Sequence, residues 1–180
     1  MLKNTGQTFR SFWKDGYQGE HATLGDWMLH LNTLFPEVRL QRTIEVRSAD
    51  ALPRRWFMAV PALWAGLLYD ERALAAADEL VASLTHDALA AARLPIAQVG
   101  LGAKVGSTTV RSLAERVLEL ALEGLERRAR RDADGRDERK HLEPLVALTT
   151  AQKSPADLLV EGLDPNAPDL RAAIIDRTAM

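Results

Sequence analysis

The chain has 180 residues, of which 47% are apolar and 27% charged, and this composition is typical of a globular protein rather than a disordered or collagen-like one. Its formal net charge of −2 excludes an overall attraction to nucleic acid or an anionic membrane, because such binding needs clustered Lys and Arg to neutralise phosphates. There is no cysteine, so disulfides and Cys-ligated zinc are excluded, and any metal must be held by oxygen or imidazole ligands.

The N-terminal residues predict a loop followed by one helix. Residues 1–22 mix glycine, polar groups and scattered aromatics without a period of 2 or 3.6, which is typical of a loop. Thr23 and Asp26 form a variant of the capping box, and a helix is predicted from there to the stop at Pro36. Its apolar positions recur at helical spacing at Leu24, Trp27, Leu31, Leu34 and Phe35.

Residues 38–47 follow a period of two, and this pattern predicts one long β-strand. One face would carry Val38, Leu40, Ile44 and Val46, and the other Arg39, Gln41, Thr43, Glu45 and Arg47. Because a lone strand leaves its backbone N–H and C=O groups unpaired, its partner strands are expected elsewhere.

Two helices are predicted next. Residues 56–69 are nearly all apolar and predict a buried helix that Pro61 kinks or divides; the run is shorter than the about 20 apolar residues of a membrane span. Residues 71–93 are rich in alanine and predict a second helix that stops before Pro95. The N-terminus lacks the apolar segment of a signal peptide, so we expect a cytoplasmic location.

The remaining chain predicts further helices. Residues 94–108, with three glycines around Lys104, predict a connection, and Thr108 or Thr109 would cap the next helix. That helix continues to the charged stretch 126–140, which is typical of a solvated helix end and linker. The last two elements are a short surface helix at 158–163, started by Ser154, Pro155 and Asp157, and a helix at 169–178.

Glu45 and Arg47 are the candidate functional pair. Being two residues apart on a predicted strand, they leave the same face about 7 Å apart. A carboxylate is a hard ligand for Mg²⁺, and a guanidinium can bind a phosphoryl or carboxylate group through two donors. The alternative is a solvent-facing cross-strand ion pair, which is common on antiparallel sheets.

The sequence around this pair resembles a known family. The segment HLNTLFPEVRLQRTIEVRSADALP, followed by PALWAGLLYDE, is similar to a region of plant-type and bacterial glutamate-cysteine ligases. That region has a His-Leu-Thr-Thr helix, Phe-Pro-Glu-Val-Arg, an Ile-Glu-Val-Arg or Leu-Glu-Met-Arg strand, and a Leu-Pro-Ala-Leu-Trp helix. The strand also resembles the Arg-Ile-Glu-Val-Arg strand of glutamine synthetases. The resemblance is specific over residues 6–71 and weaker over residues 154–162.

The resemblance implies a fold and an activity. The fold would be the C-terminal portion of an α+β, glutamine synthetase-like carboxylate-amine ligase, mostly α in this chain with a minor β component. The activity would be ATP-dependent joining of the γ-carboxylate of L-glutamate to the amine of L-cysteine through a γ-glutamyl phosphate, the first step of glutathione biosynthesis. ATP would be the co-substrate and Mg²⁺ the cofactor, with Glu45 as a metal ligand and Arg47 contacting the substrate carboxylate and the transferred phosphate.

Complete members of the family are more than twice as long, and their N-terminal part supplies further acidic metal ligands and most of the sheet. The chain is therefore expected to be one partial domain: a loop at 1–22, a strand-helix active-site segment at 23–95 and a helical C-terminal part at 96–180. It would be inactive without a missing N-terminal half. The alternative is a non-catalytic helical interaction or regulatory protein derived from this family. No nucleic-acid or membrane partner is expected.

Three further residues are weaker candidates. Arg39 shares the polar face of the strand and could bind phosphate or simply be solvated. His30 could contact a substrate or be a satisfied core or hinge histidine. Asp50 could orient Arg47 or cap the following helix. The glycines around Lys104 lack the spacing of a phosphate-binding P-loop and favour an interhelical connection, and the basic run at residues 127–131 favours a solvated helix end.

Overall fold

The structure is a computed structural model that describes residues 6–40, 42–50 and 52–178. Contacts divide the chain into two compact units, Met1–Asp50 and Ala51–Met180, named here the N-terminal and the C-terminal unit. Helices predominate in the described ranges, and the strands found there are short and paired as antiparallel hairpins. The predicted mostly α fold with a minor β component is confirmed. None of the helices in these ranges is long and apolar enough to cross a membrane.

Two helices open the N-terminal unit: α1, Phe9–Asp15, and α2, Leu24–Thr33. Helix α1 falls inside the predicted loop, and the loop prediction is wrong there, because Thr8 caps a short helix by accepting from a first-turn backbone N–H at 3.2 Å. The capping box predicted for α2 is confirmed: the Thr23 hydroxyl accepts from the Asp26 N–H, and the Asp26 carboxylate accepts from the Thr23 N–H at 2.8 Å.

The predicted long strand is wrong, because residues 38–47 form a hairpin of two short strands, β1, Val38–Leu40, and β2, Ile44–Val46. The strands pair antiparallel, with Leu40 opposite Ile44, so the first strand finds its partner within the same segment. Gln41, assigned above to the polar face, lies outside the described residues. The alternation of apolar and polar residues could not reveal the turn. Residues paired across the hairpin lie an even number of positions apart, so even-numbered residues stay on the same face before and after the turn.

Helices and a second hairpin build the C-terminal unit. In chain order they are α3 (Ala59–Leu68), α4 (Glu71–Val81), α5 (His86–Val99), β3 (Lys104–Val105), β4 (Thr108–Thr109), α6 (Val110–Arg128), α7 (Glu143–Thr150), α8 (Pro155–Val160) and α9 (Leu170–Thr178). Short 3₁₀ turns lie at Arg54–Trp56, Gly100–Gly102 and Glu138–His141.

Proline and threonine set helix boundaries that differ from the predicted ones. Pro61 lies in the first turn of α3, where a backbone N–H has no helical acceptor, so it does not kink the helix. The predicted helix at 71–93 is two helices, since Thr85 caps α5 by accepting from the Ala88 N–H at 3.2 Å. Helix α5 then continues through Pro95 instead of stopping before it.

Other predicted helix starts agree with the structure. Of the two threonines proposed as the cap of α6, Thr109 is the one, accepting from the Ser112 N–H at 3.1 Å. Ser154 and Asp157 form a capping box at the start of α8. Helix α7 is absent from the predictions above.

The core lies where α3 crosses α6 in the C-terminal unit. Gly66 on α3 and Gly124 on α6 meet at the crossing, and a Cβ added to either would lie well under 3.0 Å from backbone of the other helix. The core residues around them are Ala59, Ala62, Leu67, Leu120, Ala121, Leu125 and Leu142. In the N-terminal unit, by contrast, none of the described residues is buried.

Candidate functional site

The hairpin of β1 and β2 brings three of the predicted site residues together. Arg39 lies opposite Glu45 in the strand register. Its Nε donates to Glu45 Oε2 at 2.8 Å, and its Nη2 lies 2.7 Å from the same oxygen. Arg47 donates from Nη1 to the other oxygen, Glu45 Oε1, at 3.2 Å. Arg39, Glu45 and Arg47 are called the ion triad below.

Arg47 has two further contacts that fix its place. Its backbone N–H donates to the Glu37 carbonyl at 2.8 Å, beside the paired strands. Its guanidinium carbon lies 5.1 Å from the centre of the Phe35 ring, within the range of a cation–π interaction. Phe35 was not predicted as part of the site. The available signal was Pro36, which restricts the residue before it to extended backbone.

The ion triad carries an excess of positive charge, because two guanidinium groups share one carboxylate. The side chains of Arg39, Glu45 and Arg47 are 23%, 43% and 29% exposed, so water and small ions can reach them. A guanidinium presents its N–H donors in a planar fork that matches the oxygens of a phosphate or a carboxylate. The triad therefore favours an anion of this kind over a cation.

A magnesium site is not complete in the described part of the chain. Both oxygens of Glu45 already accept from guanidinium groups, so a metal ion bound there would lie beside two positive charges. Mg²⁺ requires near-octahedral oxygen coordination, and no cluster of three or more His, Asp and Glu able to hold a metal occurs among the residues described. The residues present do not by themselves fit the ion.

His30 and Asp50 are not part of the ion triad. The His30 ring stacks on Phe9, with ring centres 4.6 Å apart, and lies 5.6 Å from the Trp27 ring. This aromatic packing between α1 and α2 is what a structural histidine would show. Asp50 is exposed, and within the described ranges no ion pair joins it to Arg47. The roles considered for both residues stay predictions.

The structure also places Lys104 and the basic run at residues 127–131. Lys104 lies in the short hairpin of β3 and β4, whose turn contains Gly106 with a φ of 58°. Within the basic run, Arg127 binds the Asp70 carboxylate through two donors at 2.9 and 3.0 Å. Arg128 pairs with Glu138 at 3.4 Å. These contacts tie the end of α6 to neighbouring elements of the C-terminal unit.

Comparisons with known proteins place the chain among ligases. The model of the glutamate-cysteine ligase family 2 matches residues 2–173, which include the whole ion triad. The chain is 38% identical over 159 residues to glutamate-cysteine ligase A, chloroplastic, of Oryza sativa subsp. indica, with 87% of the chain and 31% of the relative covered. It is 39% identical over 160 residues to glutamate-cysteine ligase, chloroplastic, of Medicago truncatula, with 87% and 30% covered.

A third relative is similar over a shorter stretch. The chain is 42% identical over 132 residues to glutamate-cysteine ligase, chloroplastic, of Arabidopsis thaliana, covering 72% of the chain and 25% of the relative. The chain thus spans about a third of the length of the curated relatives it matches. The family model covers nearly the whole sequence, so the resemblance seen in the sequence around Glu45 and Arg47 is confirmed. The chain belongs to the glutamate-cysteine ligase family 2.

Proposed function

We propose that the chain contributes the phosphoryl- and carboxylate-binding part of an ATP-dependent glutamate-cysteine ligase. The reaction would join the γ-carboxylate of L-glutamate to the amine of L-cysteine through a γ-glutamyl phosphate. The observation that carries the proposal is the ion triad, which offers two arginines with one shared counter-charge. It lies within the part of the chain that matches the ligase family.

The chemistry needs positive charge more than a protein nucleophile. A carboxylate becomes reactive when ATP converts it to an acyl phosphate, which the amine then attacks. Negative charge spreads over the phosphoryl oxygens as the phosphoryl group moves, and fixed donors stabilise that charge. Arg47 would bind the transferred phosphoryl group and the substrate carboxylate, and Arg39 would assist from the opposite strand.

Glu45 is proposed as one ligand of Mg²⁺ by resemblance to the family. The other ligands would have to come from outside the described residues, which hold no metal-binding cluster. In this chain Glu45 accepts from both arginines, through Oε2 from Arg39 and through Oε1 from Arg47.

Exposed apolar side chains in the N-terminal unit also suggest that further protein packs against it. The apolar side of its hairpin faces solvent, with Leu40 79% and Ile44 64% exposed, and Leu24 on α2 is 68% exposed. Exposed apolar surface of this kind marks a contact region. We propose that a missing N-terminal half covers it and that the chain alone has no ligase turnover. The expected cytoplasmic location stays a prediction; the relatives named above are called chloroplastic.

A non-catalytic interaction protein is the second candidate function. The engagement of both Glu45 oxygens by arginines favours it, since a protein without turnover has no need of a free metal ligand.

Complementation decides between the two functions. The 180-residue chain is mixed with the part of the Medicago truncatula relative that it does not cover, and ADP release dependent on glutamate and cysteine is measured. We expect no release from the chain alone and turnover from the mixture. The Arg47→Lys variant, which keeps the charge but loses the planar fork, should lower kcat/KM at least ~10²-fold, or about 2.7 kcal/mol.

The matched control is Arg42→Lys. Arg42 is exposed and lies outside the ion triad, so the same substitution there should change kcat/KM by less than about threefold. Turnover within threefold of wild type for Arg47→Lys would leave the triad as a plain ion pair. Soluble complexes that form without any turnover would favour the interaction protein.

A further inference from the structure

Phe35 contacts Arg47 but is not part of a hydrophobic core. Phe35 is 72% exposed, so its ring contributes little to apolar burial. It lies between α2 and β1, directly before Pro36, which disfavours helical backbone at Phe35. The Arg47 guanidinium carbon lies over its ring, 5.1 Å from the ring centre. The Phe35 ring therefore lies beside the arginine without being part of an apolar core.

The two contacts of the Arg47 side chain act on different parts of the guanidinium. Glu45 Oε1 accepts at one edge, from Nη1. The Phe35 ring lies against the guanidinium within cation–π distance. An edge contact alone leaves the plane of the group free to turn about the Nη1 hydrogen bond. A ring contact added to it restricts that rotation, and the remaining donors keep one direction.

We propose that Phe35 is a positioning residue that pre-orients Arg47 for binding of a phosphate-type anion. The inference rests on the proposed function of the ion triad and adds a residue to it. An arginine ordered before the ligand arrives loses less side-chain entropy on binding than a free one. Phe35→Leu keeps apolar bulk but loses the aromatic face, whereas Phe35→Tyr keeps both.

The test uses the ¹⁵N-labelled 180-residue chain and inorganic diphosphate. The Nε–Hε signal of Arg47 is assigned by its loss in Arg47→Lys. In wild type and in Phe35→Tyr we expect this signal to be displaced by the ring current of the aromatic face and to shift as diphosphate is added. In Phe35→Leu the displacement should vanish and the affinity should fall about two- to fivefold, as expected for an exposed cation–π contact.

Two controls make the result specific. Phe57→Leu removes an aromatic side chain that is 65% exposed in the C-terminal unit, and it should leave both the Arg47 signal and the affinity unchanged. Sodium chloride at matched ionic strength replaces diphosphate in a parallel titration. The urea midpoint of Phe35→Leu should equal that of wild type, since the ring is outside any core.

Three outcomes of these experiments would contradict the proposals, and they can be told apart. If Phe35→Leu binds diphosphate as wild type does while Arg47→Lys loses affinity, the positioning role of Phe35 is wrong and the proposed function stands. An Arg47 signal without ring-current displacement in wild type also overturns the positioning role. If Arg47→Lys itself binds diphosphate like wild type, the anion-binding role of the triad fails, and the inference about Phe35 fails with it.

Discussion

Glu45 supplies the single negative charge of the ion triad and so limits how strongly the hairpin attracts an anion. The Glu45→Gln substitution keeps the shape of the side chain and raises the net charge of the triad from one to two positive charges. At about 4 Å in water a unit charge contributes roughly 1 kcal/mol, so we expect up to about fivefold tighter diphosphate binding at low salt, measured by calorimetry.

Glu115 provides the comparison for this substitution. It pairs with Arg111 at 2.8 Å along α6 and is the same residue type in a similar ion pair. The Glu115→Gln variant should bind diphosphate as wild type does. Weaker binding by Glu45→Gln than by wild type would mean that ordering of the arginines by Glu45 outweighs the charge it cancels.

Asp70 is one residue through which acid is expected to weaken the C-terminal unit. It accepts from Arg127 through both carboxylate oxygens and caps α4 through the Ala73 N–H at 2.8 Å. The hydrogen bond from Arg127 is the main reason that the pKa of Asp70 falls from 3.8 to about 2. A lowered pKa stabilises the folded state above pH 3.8, and this contribution is lost as the pH falls from about 4 to 2.

Asp70→Asn keeps a capping oxygen but removes the charge. We expect the difference in urea midpoint between wild type and Asp70→Asn to be largest above pH 4 and to shrink toward pH 2, because wild type alone loses the Arg127 interaction by protonation. Asp87→Asn, at a fully exposed side chain on α5, should show a much smaller difference. A constant difference over this pH range would contradict the assignment.

At the scale of elements, the crossing of α3 and α6 depends on two glycines. A Cβ on Gly66 would overlap the Ala121 backbone, and a Cβ on Gly124 would overlap the Gly66 carbonyl. Since backbone cannot move as a flexible side chain can, Gly66→Ala and Gly124→Ala should each destabilise by ~1–3 kcal/mol despite the better helix propensity of alanine. Urea unfolding followed by circular dichroism measures this.

Gly102→Ala is the matched substitution at an open position. No atom lies within 4 Å of a Cβ built there, so its stability should stay within about 0.5 kcal/mol of wild type. Wild-type stability in Gly66→Ala would show that the two helices can separate without loss.

At the scale of the whole molecule, the core that the described residues form lies in the C-terminal unit. All residues of the core cluster lie after residue 58, and none of the described residues before residue 51 is buried. A segment that buries little apolar surface gains little free energy from folding apart from the rest of the protein. We therefore expect residues 51–180 to unfold cooperatively in urea, and an isolated peptide of residues 1–50 to show no cooperative transition.

Two measurements check the expected difference between the units. Far-ultraviolet circular dichroism in urea should give a sigmoidal curve for residues 51–180 and a gradual one for the peptide. Amide protection in the full chain should be highest in α3 and α6, which form the core. A cooperative transition in the peptide would mean that its aromatic contacts, such as Phe9 with His30, suffice for a fold.

The sequence alone determined the features that depend on neighbours along the chain. Thr23 with Asp26, Thr109 and Ser154 with Asp157 start helices because a cap bonds to an N–H only two or three residues away. The family was likewise readable from the order of residues in one segment. Thr85 was not predicted as a cap, because it lies within an alanine-rich stretch whose composition favours one continuous helix.

The tertiary structure decided what depends on residues distant in sequence. The alternation in residues 38–47 is the same for one strand and for a hairpin, so only the pairing of Arg39 with Glu45 revealed the turn and the ion triad. Phe35 entered the site because a ring and a guanidinium twelve positions apart meet across the hairpin. The contact between Gly66 and Gly124 could not be predicted from the sequence, because the close approach of two helices is set by packing and not by local preference.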